Sequence, residues 1–214
     1  MTLNDRITPE LARIKRELKT LDSLRIKVGI QGDEDSDLLM IAHVHEYGAT
    51  ITPKQSKNLA IPIHKNSYGK RPGDFSGLFF ITSSAGYLFG VTAKMNRKNL
   101  SNANNLNFLF LLLPSVTIPE RSFIRAGYDH NVDRLTAVAR DQLHEIIFNG
   151  KTAQQAAEYI GGKAVDFIRE YINTASNFEP KGNIQREAAP SWADNPLVVT
   201  GRLRNSITWK VEAK

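Results

Sequence analysis

The chain has 214 residues, 41% hydrophobic and 23% charged, which is enough to bury a core without covalent staples. It has no cysteine, which excludes disulfides, thiolate metal sites and a cysteine nucleophile. The net charge is +6, but the lysines and arginines are dispersed in small clusters such as Arg13, Lys15 and Arg16, a pattern of solvated surface rather than a nucleic-acid stripe.

Residues 1–10 lack the apolar core of a signal peptide. The longest apolar run, 108–113, falls far short of the roughly 20 residues that a membrane helix needs. The expectation is a protein made in the cytoplasm, without membrane contact. Thr8 and Pro9 predict an N-cap and first helical residue, after which Leu11, Ile14, Leu18 and Leu21 share one helical face. Residues 25–30 alternate, with Ile26, Val28 and Ile30 on one side of a half-buried strand. Gly32 and the acidic residues Asp33, Glu34, Asp35 and Asp37 form a turn. A helix follows from Leu38 to Tyr47, with Leu38, Ile41, Ala42 and His45 along its stripe and Gly48 as its stop.

From 59 to 113 the pattern is β. Strands are predicted at 59–63, 78–81, 88–93 and 108–113, the middle two joined as a hairpin through Ser84, Ala85 and Gly86. The last does not alternate and should be covered on both faces, and 96–107 reads as an exposed loop. A helix over 129–148 aligns Val132, Leu135, Ala139, Leu143 and Ile146, and Asn149-Gly150 ends it. Thr152 caps a further helix whose stripe is Ala153, Ala156, Ala157, Ile160, Ala164, Phe167, Ile168 and Tyr171. Gly161-Gly162 interrupts that stripe at about 1 kcal/mol per glycine, which implies either close packing against a neighbour or a kink. Residues 173–196 have no period and read as an extended loop. A turn at 200–205 leads to a strand with Ile207, Trp209 and Val211 on one face.

Strands and helices are segregated, which predicts an α+β fold. It would be a small, mainly antiparallel sheet on two long helices and an N-terminal helix, with a β-rich insertion and long loops. One domain is expected over 1–214, the insertion spanning 53–117 and the loop 173–196.

The segment His43, His45 and Glu46 invites a metal reading, that of a metallohydrolase. On a helix, however, residues two apart point to different sides, so the two histidines cannot share an ion. His64, His130 and His144 are isolated, and no phosphate-cradling loop or nucleophile elbow occurs. No catalytic residue, cofactor or metal is expected. Arg121, Phe123, Arg125 and Tyr128 interleave basic and aromatic residues, which supports a nucleic-acid-binding module around Arg121 and Arg125 as the alternative function.

Three separated segments carry a resemblance. Ala42-His43-Val44-His45-Glu46-Tyr47-Gly48-Ala49 resembles an "HE-aromatic-G" signature. Ile118-Pro119-Glu120-Arg121-Ser122-Phe123-Ile124-Arg125 resembles "IP-x-R-x-F". Residues 196–207, with Leu197, Thr200, Gly201, Leu203, Ser206 and Ile207, resemble "PL-x-x-TG-x-L-x-x-SI". Together they resemble the tail completion, or tail-to-head joining (tail terminator), family of tailed bacteriophages, in its virion-morphogenesis type from Mu-like phages. Val199 departs from the pattern, which often has an acidic residue there.

The resemblance implies a non-enzymatic virion protein, made in the host cytoplasm and placed at the head–tail junction. It implies a homo-oligomeric ring, a hexamer by family pattern, that meets head connector (neck) proteins on one side and tail tube proteins on the other. His45, Glu46, Tyr47, Gly48, Pro119, Arg121 and Phe123 would then be fold and assembly positions. Arg121 in particular would anchor on a carboxylate or carbonyls, within the chain or across a subunit boundary.

Overall fold

A computed structural model of the chain describes residues 3–31, 36–94, 102–178, 195, 197 and 201–214. The fold is α+β, with every strand pairing antiparallel. The single domain read from the sequence resolves into two compact units. The first draws on 1–47, 120–181 and 191–214, and the second holds Gly48–Pro119.

In the first unit, α1 (Leu3–Ser23) begins before the predicted start, and Pro9 lies inside it. Proline there forfeits one hydrogen bond to the carbonyl four residues back, yet the turn upstream continues. Ile14, Leu18 and Leu21 are half-buried as the stripe predicts, whereas Leu11 is exposed. Two of the helix's charges serve its neighbours. The Arg13 guanidinium donates to the Ile146 carbonyl at 2.8 Å, and the Glu17 carboxylate accepts from the Ala153 N–H at 3.0 Å. These sit at the C-terminal end of α4 (Val132–Phe148) and the N-terminus of α5 (Ala153–Asn173), where each helix dipole favours that sign of charge.

Strand β1 (Leu24–Ile30) pairs along its length with the last strand, β8 (Ile207–Ala213), from Leu24↔Ala213 to Ile30↔Ile207. The alternation predicted for both is seen: Ile26 and Val28 face inward with Trp209 and Val211, while Arg25, Lys27, Thr208 and Lys210 face out. This two-stranded sheet lies on α5, and α4 packs on α5 as well. Thr152 caps α5 as expected, its hydroxyl accepting from the Gln155 N–H at 3.2 Å.

Close packing explains Gly161. A Cβ there would stand 3.0 Å from Trp209 Cδ2 and 3.2 Å from Ile26 Cγ2, so the glycine lets the sheet rest on the helix backbone. At Gly162 the nearest atom would be 3.7 Å away, an ordinary contact. Gly161→Val is therefore expected to cost about 1–3 kcal/mol by overpacking, and Gly162→Val clearly less. Urea unfolding of the two variants checks this, and equal costs would mean that the sheet does not depend on that approach.

Two other predicted helices are corrected. Helix α2 (Ser36–Tyr47) buries Leu38, Ala42 and Glu46, while Ile41 is exposed and His45 half-buried. Strict i, i+4 spacing thus won over apolar character, because Glu46 has partners inside. The helix expected from 129 is two: α3 (Arg125–His130), then a break at Asn131, then α4. Asn131 is buried, and its side-chain amide donates to the Gly127 carbonyl at 2.9 Å, satisfying a group that the break frees. Val132 and Leu143 are exposed, and Gln142 is buried in their stead, bonded to the Lys151 ammonium.

In the second unit a four-stranded sheet runs β3 (Leu59–Pro62), β6 (Leu106–Leu113), β5 (Leu88–Ala93), β4 (Phe79–Thr82). Strand β6 is interior, and none of its residues is exposed, as its unbroken apolar run predicts. It starts two residues earlier than expected, and β4 is displaced by one. The hairpin between β4 and β5 turns at Gly86, φ 82°. The exposed loop expected at 96–107 falls partly outside the described residues. Its described end has a short turn, Ala103–Asn105, and then joins β6. A second pairing, β2 (Ala49–Ile51) with β7 (Val116–Ile118), has no signal in the sequence because three residues show no period. It moves the boundary of the insertion outward from 53–117 to 48–119.

Most of the 173–196 loop lies outside the described residues. Its described ends are anchored: Phe178 is buried in the core, and the Asn195 amide donates to the Ile172 carbonyl at 2.7 Å.

Candidate functional site: the buried junction of three motifs

Gly48, with φ 70°, ends α2 in the left-handed conformation that glycine adopts without a Cβ penalty. The last turn of α2 therefore closes on Glu46, which is 5% exposed. The chain returns 76 residues later, and the Ser122 hydroxyl donates to Glu46 Oε1 at 2.8 Å. The N–H groups of Phe123 and Ile124 donate to Oε2 at 2.9 and 3.0 Å, and the Arg125 N–H and Nε donate to Oε1, each at 3.0 Å. The carboxylate thus satisfies backbone donors that the start of α3 leaves without helical partners, from a residue remote in sequence.

Burial alone would raise the Glu46 pKa. The N–H groups of Ile124 and Arg125, the Ser122 hydroxyl and the Phe123 N–H outweigh it, and the carboxyl is held below the ordinary range. An ionised carboxylate offers about four lone-pair sites, and five donors already crowd them. No acceptor capacity is left for a metal ion or a substrate proton. The group is a structural anion.

Around it stand the other residues of the first two motifs. The Arg125 guanidinium also donates to the Glu46 carbonyl at 2.8 Å and to the Glu120 carboxylate at 2.7 Å. It lies over the Tyr47 ring, 4.6 Å from Cζ to the centroid, and the other neighbour of that ring is His43 at 4.8 Å. Tyr47 itself is 55% exposed. Arg121 is buried, and its backbone N–H donates to the His45 carbonyl at 2.7 Å, which ties the start of the second motif to the end of α2. Burial pushes the His45 imidazole down, and the Arg121 charge pushes it further, so it is neutral at physiological pH. Pro119 is half-buried just ahead of these contacts. His43 is exposed while His45 is half-buried, so α2 does turn the two imidazoles to different surroundings. Among the described residues no three His, Asp or Glu side chains are grouped as metal ligands.

The third motif meets the first two in one apolar cluster. Phe123, fully buried, shares that cluster with Leu38 and Ala42 of α2, with Leu197, Leu203 and Ile207, and with Val165, Ile168 and Ile172 of α5. Gly201, φ 75°, opens the short helix α6 (Arg202–Asn205), and the Ser206 hydroxyl closes it on the Leu203 carbonyl at 2.9 Å. Thr200 lies outside the described residues.

Sequence reasoning missed two members of this junction. Arg169 on α5 donates to the carbonyls of Asn205 at 3.1 Å and Ile207 at 2.8 Å, gathering the end of α6 and the start of β8. Asn195 holds the Leu197 N–H at 3.0 Å. Arg169 had a faint signal, a basic residue beside the apolar stripe of α5. Asn195 had none.

Comparison of the chain with protein-family models, with curated proteins and with solved structures returns no match.

Proposed function

We propose that this chain is a structural, non-enzymatic subunit of a tailed-phage virion. It forms a ring at the head-proximal end of the tail, completes the tail and joins it to the head connector. The observation that carries the reading is the convergence of the three motif segments on one buried junction, where their residues cap, turn and pack. Residues that act together only as a fold suit an assembly protein better than a catalyst. The saturated carboxylate of Glu46 removes the natural base from a hydrolase reading.

The nucleic-acid alternative draws no comparable support. Arg121 is buried, and Arg125 is already paired through Nε and Nη2 with Glu46 and Glu120, which leaves less of the basic pair to offer phosphate. A ring has heterologous contacts, two different patches on each subunit. The expected partners are further copies of the chain, six by the family's pattern, with neck proteins on one face and tail tube proteins on the other.

A phage lacking this gene should yield DNA-filled heads and separate finished tails by electron microscopy. Supplying the chain in trans should restore joined particles, with antibody-gold label at the neck. Intact, infectious virions without the protein would end the proposal.

A further inference from the structure

One face of the first unit holds an apolar groove of 670 Å³, to whose lining the second motif segment gives Ile124 and Arg125 and α3 adds Tyr128 and Asp129. Its floor is α5, at Ile160 and Ala164. One wall is α4, at Leu135 and Ala139, and the other is β1, at Ile26 and Val28. No residue of β8 takes part, so the groove lies on the side of β1 away from its partner strand. From Ile160 to Ile168 the floor runs about 12 Å at the helical rise, the length of about four residues of extended chain.

The hydrogen-bond phase of the sheet gives this groove a specific meaning. The Lys214 N–H donates to the Ser23 carbonyl at 2.8 Å, one step beyond Leu24↔Ala213. In an antiparallel pair, residues alternate between bonding the partner strand and pointing away from it. Arg25, Lys27 and Gly29 therefore bond β8, while Leu24, Ile26, Val28 and Ile30 turn their N–H and C=O groups to the outer edge. The Arg169 bond to the Ile207 carbonyl, on the outer side of β8, agrees with that phase. Among the described residues no hydrogen bond reaches the outward backbone groups of Ile26 or Val28. The two β1 side chains that line the groove thus belong to the same residues whose outward backbone groups have no partner among the described residues. An edge of this kind is a template for another strand.

We infer that the groove and the β1 edge together are a docking slot for one extended segment of a partner protein, added as a third strand beside β1. Its side chains would be apolar where they enter the groove and acidic at the positions between. The backbone row specifies an extended segment, since a helix has no free donors or acceptors to offer. Charge specifies the acidic positions. The outer face of the sheet carries Arg25, Lys27 and Lys210 against Glu212 alone, and directly opposed unlike charges stabilise a strand pair. The same charges disfavour a second copy pairing β1 on β1, which would set Arg25 and Lys27 against themselves. The inference does not depend on the virion reading, and either can fail without the other.

Hydrogen exchange of the full chain, alone and with a synthetic peptide of alternating valine and glutamate blocked at both ends, tests it. In the free protein the amides of Ile26 and Val28 should exchange about a hundredfold or more faster than those of Lys27 and Gly29. The peptide should slow Ile26 and Val28 and leave Lys27 and Gly29 unchanged. A valine–lysine peptide, and a valine–glutamate peptide N-methylated on alternate residues, should each bind at least about tenfold more weakly. Thr136, exposed on the groove wall, allows a blocking variant: Thr136→Trp should abolish the protection while the melting curve stays as in wild type. Slow exchange of Ile26 and Val28 in the free protein at every dilution would overturn the proposal, because the edge would already be covered. Absence of protection at millimolar peptide, or equal binding of the lysine or N-methylated peptides, would overturn it too.

Discussion

Glu46→Ala is expected to destabilise the protein by about 3–5 kcal/mol, the usual cost of taking one partner from a buried charged network. The loss arises on the side left behind. The N–H groups of Phe123 and Ile124 and the Ser122 hydroxyl lose their acceptor where water does not replace it. Against a total stability of about 5–15 kcal/mol this is a large fraction. Glu46→Gln keeps the shape but turns an NH2 toward donors, so it should recover only part. The effect has a pH signature. The folded-state pKa of Glu46 lies below its unfolded value, so the stabilisation is complete above about pH 4.3 and is lost as pH falls through the folded pKa. Urea unfolding at several pH values should show the gap between wild type and Glu46→Gln wide at pH 7 and closing under acid conditions. A gap that did not change with pH would mean that the ionised carboxylate is not what holds α3.

The second large effect belongs to Leu203→Asp. Leu203 is 7% exposed, in one apolar cluster with Phe123, Ile172 and Ile207. An unpaired carboxylate there costs several kcal/mol beyond the lost apolar burial, enough to exhaust the margin. The variant should be insoluble, or lose its near-ultraviolet circular dichroism while keeping helical signal. Leu203→Met, of similar volume, should stay within about 1.5 kcal/mol of wild type. A folded, cooperative Leu203→Asp protein would show that the third motif does not belong to the core.

The sequence was legible where period and burial coincide. The alternation of 25–30 and of Ile207, Trp209 and Val211 located both strands of the first sheet, and the apolar run at 108–113 announced an interior strand. It was illegible where a polar residue is buried for the sake of partners elsewhere. Glu46, Gln142 and Asn131 each look like surface by type, and what makes them interior lies in other segments. The same applies to the break at Asn131, where no proline or glycine marks the change of helix. At the junction, the residue types of the three motifs were visible in the sequence, but their meeting was not, because neither Glu46 nor Phe123 carries any sign of the other. Arg169 stayed hidden because its acceptors are main-chain carbonyls, which every residue has.

The pairing of β2 with β7 also bears on how the chain finds this state. Glu46 and Phe123 are 77 residues apart, a long loop to close before their contact returns anything. Once Ala49 lies against Ile118, the open loop between them shrinks to about ten residues, which lowers the closure entropy by roughly 2 kcal/mol at 25 °C. The hairpins of the inserted sheet are local and quick to form, whereas the β1–β8 sheet joins the two far ends of the chain and is slow. The insertion thus acts on its host through chain entropy: with its two ends paired, the Glu46 junction has only a short loop left to close.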